Sequence, residues 1–212
     1  MSTDSRFSRL DPTLRKARLV EATLRCLQQH GFQGASIRKI CAQAGVSIGL
    51  INHHYSSKDD LVAEAYLTIT QRITSQLREA IDAAAPDAHS RLGAFFRASF
   101  APEMLDPKLL DAWLAFWGAV KNAEAINKAH EESYAAYRAT IAHALTQLAH
   151  ENHWLGFDSD LAAIALSGLL DGLWLEYGLN QSTFSPEQGM KICEAWVDGL
   201  ESGGFRRFCI AG

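Results

Sequence analysis

The sequence predicts an all-α protein, with an N-terminal three-helix helix-turn-helix domain followed by a larger C-terminal helical domain. Three observations carry this. Apolar residues recur at three- and four-residue intervals through most of the chain, while two-residue alternation is almost absent. Capping signals open several of the periodic stretches. Residues 36–61, SIRKICAQAGVSIGLINHHYSSKDDL, encode two short helices about a tight turn and the start of a third helix.

Leu19, Ala22, Thr23, Cys26 and Leu27 put an apolar stripe on the first helix, which is expected to end at His30-Gly31-Phe32. Ile37, Ile40, Cys41 and Ala44 fall at i, i+3, i+4 and i+7, one face of a second helix. Gly45 suits its left-handed end. Ser47 can cap a third helix whose core side is Leu50 and Ile51. A helix, a glycine turn and a short second helix form the unit that places a recognition helix in the major groove of DNA.

Ser57-Lys58-Asp59-Asp60 resembles a capping box and opens a long linking helix bearing Leu61, Ala65, Ile69, Ile73 and Leu77, which ends near Ala85-Pro86. Asp87 starts a helix with Leu92, Phe95, Phe96 and Ser99 on one side. Asp106-Pro107, a cap followed by proline at the first helical position, leads into Leu109, Leu110, Trp113, Leu114, Phe116 and Trp117. A helix over about 122–151 carries Ile126, His130, Tyr134, Tyr137, Ile141 and Leu148. Two more run from near Ser159 to Asn180 and from Ser185 to Ser202, the last opened by the capping box Ser185-Pro186-Glu187-Gln188. The expected division is 1–60 for the helix-turn-helix domain and 61–212 for the helical body.

The net charge of −4 conceals an asymmetry. Through Lys58 the chain has nine basic and three acidic residues, net +6, and the remainder has eleven and twenty-one, net −10. A basic head on an acidic body suits a protein that meets DNA with one end only. Cys26, Cys41, Cys193 and Cys209 lack CxxC spacing and read as small hydrophobes, not a disulfide frame or metal site. The polar opening residues are unlike a signal peptide, and the greasiest stretch, residues 161–179, is broken by Asp171, Glu176 and three glycines. The expectation is a cytoplasmic protein with no membrane contact. No nucleophile, base or metal set converges, and His150-x-x-His153 lacks the carboxylate pattern of a zinc site, so neither enzyme nor cofactor is expected.

Four pieces in order, "LVEATLRCLQQHGF", "ASIRKICAQAGVS", "GLINHHY" and "SSKDDL", resemble the N-terminal domain of the TetR family of bacterial transcription regulators over about a quarter of the chain. The resemblance implies that Ser47, Ile48, Asn52 and His53 face DNA, that His54 and Tyr55 brace the helix or touch the backbone, and that Lys58 contacts phosphate. Ser36 and Ser47 also offer hydroxyls and free N–H groups at helix N-termini. Gly49 permits close approach but reads nothing. Arg15, Lys16 and Arg18, which precede or open the first helix, can reach the adjacent backbone or minor groove. Family members often carry a tyrosine pair where this chain has Asn52-His53, so its base contacts are expected to differ. With no Arg or Lys on the recognition helix, Ile48 packing on a thymine methyl is the alternative to a bidentate guanine contact.

In that family the last two helices pair two copies, and LAAIALSGLLDGLWLEYGL, apolar nearly all round, fits such burial. The implied partners are a second copy, a palindromic double-stranded operator and a small-molecule effector. "DAWLAFWGAV" and "LLDGLWLEYGL" narrow the resemblance to BetI-type regulators, choline-responsive repressors of glycine betaine synthesis genes. A quaternary ammonium ion is held by aromatic faces and a carboxylate. Trp113, Phe116, Trp117, Trp174 and Tyr177 are candidates for the faces, and Asp171 or Glu176 for the charge. A Trp/Phe stripe serves equally as core or interface, and relatives with unrelated ligands share the Leu-Asp-Gly-Leu segment, which leaves an unrelated apolar or aromatic effector open. A non-specific architectural DNA binder is the remaining alternative, although it has no need of an aromatic-rich body.

Overall fold

The computed structural model describes residues Pro12–Cys209. In chain order the helices are α1 (Pro12–Gly34), α2 (Ile37–Ala44), α3 (Ile48–His54), α4 (Lys58–Asp82), α5 (Ala88–Ser99), α6 (Pro107–Val120), α7 (Glu124–Glu151), α8 (Ser159–Leu179) and α9 (Pro186–Glu201), with a short 3₁₀ turn at Gly204–Phe208. Their ends follow the capping chemistry. Ser36 accepts from the Lys39 N–H, Asp87 from Ser90 and Asp158 from Leu161. Ser57 accepts from the Asp60 N–H at 3.1 Å. At Ser185 both bonds of the capping box are made, with proline in the first turn. Gly31 (φ 61°) breaks the regular path of α1, and Gly45 (φ 68°) closes α2 in the left-handed region, which a side chain would resist.

The described residues pack as two compact units, each with its own core. The first comprises the chain up to Gln71 together with Asp111–Ser133. Here the stripe Leu19, Ala22, Thr23, Cys26 and Leu27 is fully buried with Ile40, Cys41, Ile51, Leu61, Ala65 and Ile69. Ile37 and Ala44 sit half-buried at the margin of their stripe. The second unit comprises Arg72–Leu110 and the chain from Tyr134 onward. Its core includes Leu92, Phe95, Phe96, Ile141, Leu148, Leu166, Leu170, Trp174, Cys193 and Val197. These packing units are a different division from the functional one expected at 60/61, since the first unit also takes in Asp111–Ser133.

Burial accounts for three of the cysteines. Cys26, Cys41 and Cys193 lie in the cores, and desolvation pushes the Cys193 thiol up to about 12. Among the described residues no helix is long and apolar enough to cross a membrane.

Helix α9 packs on α5 and α8. The approach to α5 depends on Gly189, where a Cβ would lie 2.5 Å from the buried Phe100 ring. Gly189→Ala gains about 1 kcal/mol of helix propensity. Overpacking costs about 1–3 kcal/mol, so the expected net result is destabilisation. Urea unfolding checks this, and an unchanged or raised midpoint would contradict the packing argument.

Candidate nucleic-acid interface and ligand site

In the N-terminal unit, α2 packs on both α1 and α3. Side chains lock this arrangement: Lys39 donates to the Gly34 carbonyl at 2.8 Å, and the Gln43 amide donates to Gln29 at 2.6 Å. The buried Ile51 anchors α3 inward, which leaves Ile48 41% exposed and Gly49 and Asn52 on the surface. Ala35, Ser36, Ile37, Arg38, Ile48, Asn52 and Lys58 line one open groove. This groove gathers Ser36, Ile48, Asn52 and Lys58 from the predicted DNA-facing set.

Lys58 has a structural job as well. Its ammonium donates to the Phe32 carbonyl at 3.1 Å and lies 3.9 Å from the centre of the Phe32 ring, tying the start of α4 to the last turn of α1. Lys16 pairs with Glu64, while Arg18 is exposed. Ser36 already spends its hydroxyl on capping α2. Tyr55 is half-buried behind α3, and burial, with the Glu64 charge, holds its phenol above the usual range. Ser47 and His54 are exposed. The side chains of Arg15, Leu50 and His53 lie outside the described residues.

Arg38 counted only toward net charge in the sequence, yet it is exposed on the rim of this groove. A guanidinium there suits a phosphate contact. Arg38→Ala is expected to weaken binding about equally for all duplexes and to lower the salt slope by about 1. Asn52→Ala should instead relax preference at one base position. Titration against matched and mismatched duplexes at several salt concentrations separates the two effects.

The predicted ligand residues fall into separate clusters. In the N-terminal unit, Phe116 is buried and packs edge-on against Tyr66, with centroids 4.9 Å apart. Trp113 lies 5.6 Å from Tyr66 and 6.4 Å from Trp117. The Tyr66 hydroxyl is 2.9 Å from His130 Nδ1, so a polar pair closes this aromatic group.

In the second unit, Asp171 Oδ1 accepts from the Tyr134 hydroxyl at 3.1 Å. Burial pushes the Asp171 carboxyl up to about 6, against the pull of Tyr134 and of the Arg138 charge. Trp174 is 6% exposed and donates its indole N–H to the Ser99 carbonyl at 3.0 Å. Tyr137 lies between them, with its ring 6.1 Å from Tyr134 and 6.2 Å from Trp174. Its hydroxyl is buried and has no hydrogen-bond partner among the described residues, a state that costs about 1–3 kcal/mol. Tyr177 faces elsewhere, packing on Phe184 and lining a surface groove with Arg97, Phe100, Leu105 and Met190. Glu176, the other candidate charge, is exposed.

Tyr134 and Tyr137 entered the sequence analysis as members of a helical stripe only. Their three-residue spacing puts them side by side on α7, but nothing in the sequence says that Asp171 meets them. His150 and His153 are exposed at the end of α7, and among the described residues no cluster of three or more His, Cys, Asp or Glu is placed to hold a metal.

Residues 88–201 match the family model described as BetI-type transcriptional repressor, C-terminal, and residues 19–65 match that of bacterial regulatory proteins, tetR family. Among curated relatives, an HTH-type transcriptional regulator BetI from Vibrio atlanticus is 28% identical over 194 residues, covering 88% of this chain and 92% of its own. A crystal structure described as a transcriptional regulator from Pseudomonas aeruginosa PAO1 is 66% identical, with a TM-score of 0.93 and coverage of 96% and 98%. A regulator from Saccharomonospora viridis, solved in complex with choline, shares the fold at 21% identity and TM-score 0.74, covering 88% of this chain and 96% of its own. A helix-turn-helix head on a helical body is the architecture of a transcriptional regulator. The chain belongs to the TetR family, and its larger domain is of the BetI type. The family consists of transcriptional regulators, generally not enzymes, that bind operator DNA and small-molecule effectors.

Proposed function

We propose that the protein is a homodimeric repressor that reads a palindromic operator with residues 47–55 of two copies and answers to a quaternary ammonium effector, choline being the type compound. The observation that carries the effector reading is the half-buried Asp171 carboxylate bonded to Tyr134, whose ring leads on to Tyr137 and Trp174. A charge costly to bury is offset by a ligand cation, and aromatic faces hold such a cation without asking it for hydrogen bonds. The choline complex of the Saccharomonospora viridis regulator supports the same class.

Pairing through the last two helices is supported by the exposed side of α8. Leu161, Ile164 and Leu179 are 47%, 54% and 66% exposed and share that side with Gly168 and Gly172. Nothing lies within 4 Å of where a Cβ would stand on either glycine, so another helix can approach closely. On α9, Ile192 is likewise an exposed large apolar residue. Cys193, Val197 and Leu200 on the same helix are instead spent on the protomer core.

Residues 1–60 would supply the reading head, with Ser47, Ile48, Asn52 and His53 toward bases and Arg15, Lys16, Arg18, Ser36 and Lys58 toward phosphates. An effector can shift operator affinity only through its preference for one conformation, and a coupling of about 1–3 kcal/mol changes it about 5–150-fold. The test is selection from random duplexes with and without choline. A palindrome whose binding choline changes is the expected result. Indifference to base order would leave a non-specific binder, and a palindrome that ignores choline would remove the effector class. A second reading, an apolar effector, is favoured by the surface groove lined by Phe100, Leu105, Tyr177 and Met190.

A further inference from the structure

We infer that Tyr137 is the specificity residue of the effector site: its hydroxyl hydrogen-bonds an oxygen carried by the quaternary ammonium compound. The inference rests on the effector reading above and adds a second recognition element to it. Tyr137 is 7% exposed, with its ring packed among Phe95, Tyr134 and Trp174. The neighbouring donors Tyr134, Trp174 and Ser99 are already engaged. Tyr134 donates to Asp171, Trp174 donates to the Ser99 carbonyl, and the Ser99 hydroxyl donates to the Phe95 carbonyl. The Tyr137 hydroxyl is buried and lacks a partner among the described residues. A phenylalanine would pack in the same place without burying an unsatisfied polar atom.

Tyr137 packs 6.1 Å from the ring of Tyr134, the residue that donates to Asp171, so its buried hydroxyl belongs to the same cluster as the carboxylate; burial first, then the charges of Asp171, Tyr134 and Cys193, hold its phenol well above the usual range. At that range it keeps its proton and can donate. A cation beside Asp171 therefore lies close to a hydrogen-bond donor, and the site suits a compound carrying both a quaternary nitrogen and a hydroxyl or carbonyl oxygen. A site built to bond such an oxygen discriminates against analogues lacking it.

Calorimetric titration of the full-length protein with choline and with tetramethylammonium, which has the cation and no oxygen, tests this in wild type and Tyr137→Phe. The expected result is that the wild type prefers choline, that Y137F loses about 5–30-fold for choline, and that tetramethylammonium binds both proteins within about twofold. An unliganded Y137F that melts no lower than wild type shows that the ring still packs. Equal losses for both probes, or no loss for choline, overturn the assignment of Tyr137 while leaving the cation site standing. Failure of both probes to bind the wild type overturns the effector reading and this inference with it.

Discussion

Replacing Ile164 by glutamate is expected to leave a folded protomer that no longer pairs and no longer holds its operator. Ile164 is 54% exposed in the protomer, so the change removes little core packing, and helical content should match wild type. On the proposed dimer face it puts a carboxylate, twice by symmetry, against the apolar side of α8. Losing the partner also loses the effective concentration that delivers the second recognition helix, worth about 10²–10⁴-fold in operator affinity. Sedimentation at micromolar protein should show a monomer where wild type shows a dimer. If the variant sediments and binds operator like wild type, pairing through this face is wrong.

Asp171→Asn is expected to stabilise the protein while impairing its effector response. The carboxyl titrates near the usual 3.8 in the unfolded chain and at about 6 in the fold, because burial disfavours the charged form. Between those values the folded state holds a proton that the unfolded state has released, so stability falls as pH rises through this window. Above about 6 the whole penalty is present, on the order of 3 kcal/mol at about 1.4 kcal/mol per pH unit. Asparagine carries no such charge and still accepts from Tyr134. At pH 7.5 the variant should be more stable by about 1–3 kcal/mol, a rise of roughly 3–10 °C in melting temperature for a chain of this size. Near pH 3.5 the gap should close. A gap of the same size at both pH values would mean that the gain has nothing to do with ionisation. Weaker choline binding by the same variant would show that the buried charge is kept for function.

Much of this was legible in one dimension. The helices of the head were readable because its stripe is continuous and each turn carries its own marker: Gly31, Gly45 and the Ser57 cap. The capping box at Ser185 is equally local, since its two bonds join residues three apart. The ligand set was legible only as a list of residue types. Trp113 and Phe116 pack on Tyr66 with Trp117 against Trp113, Asp171 meets Tyr134 while Trp174 meets Tyr137, and Tyr177 lines a surface groove instead. Periodicity assigns a residue to a face of its own helix, but it does not say which other helix that face meets.

The sequence by itself determined the helical class, the order of the helices, the recognition unit and the segregation of charge, because propensity, capping and periodicity act within a few residues of chain. The tertiary structure decided that Asp111–Ser133 groups in one unit with the chain up to Gln71, that Lys58 is anchored to Phe32, that Arg38 reaches the groove and that Tyr137 is buried between Tyr134 and Trp174. Those outcomes depend on contacts between residues tens of positions apart, where burial and side-chain pairing, not local preference, select the partner.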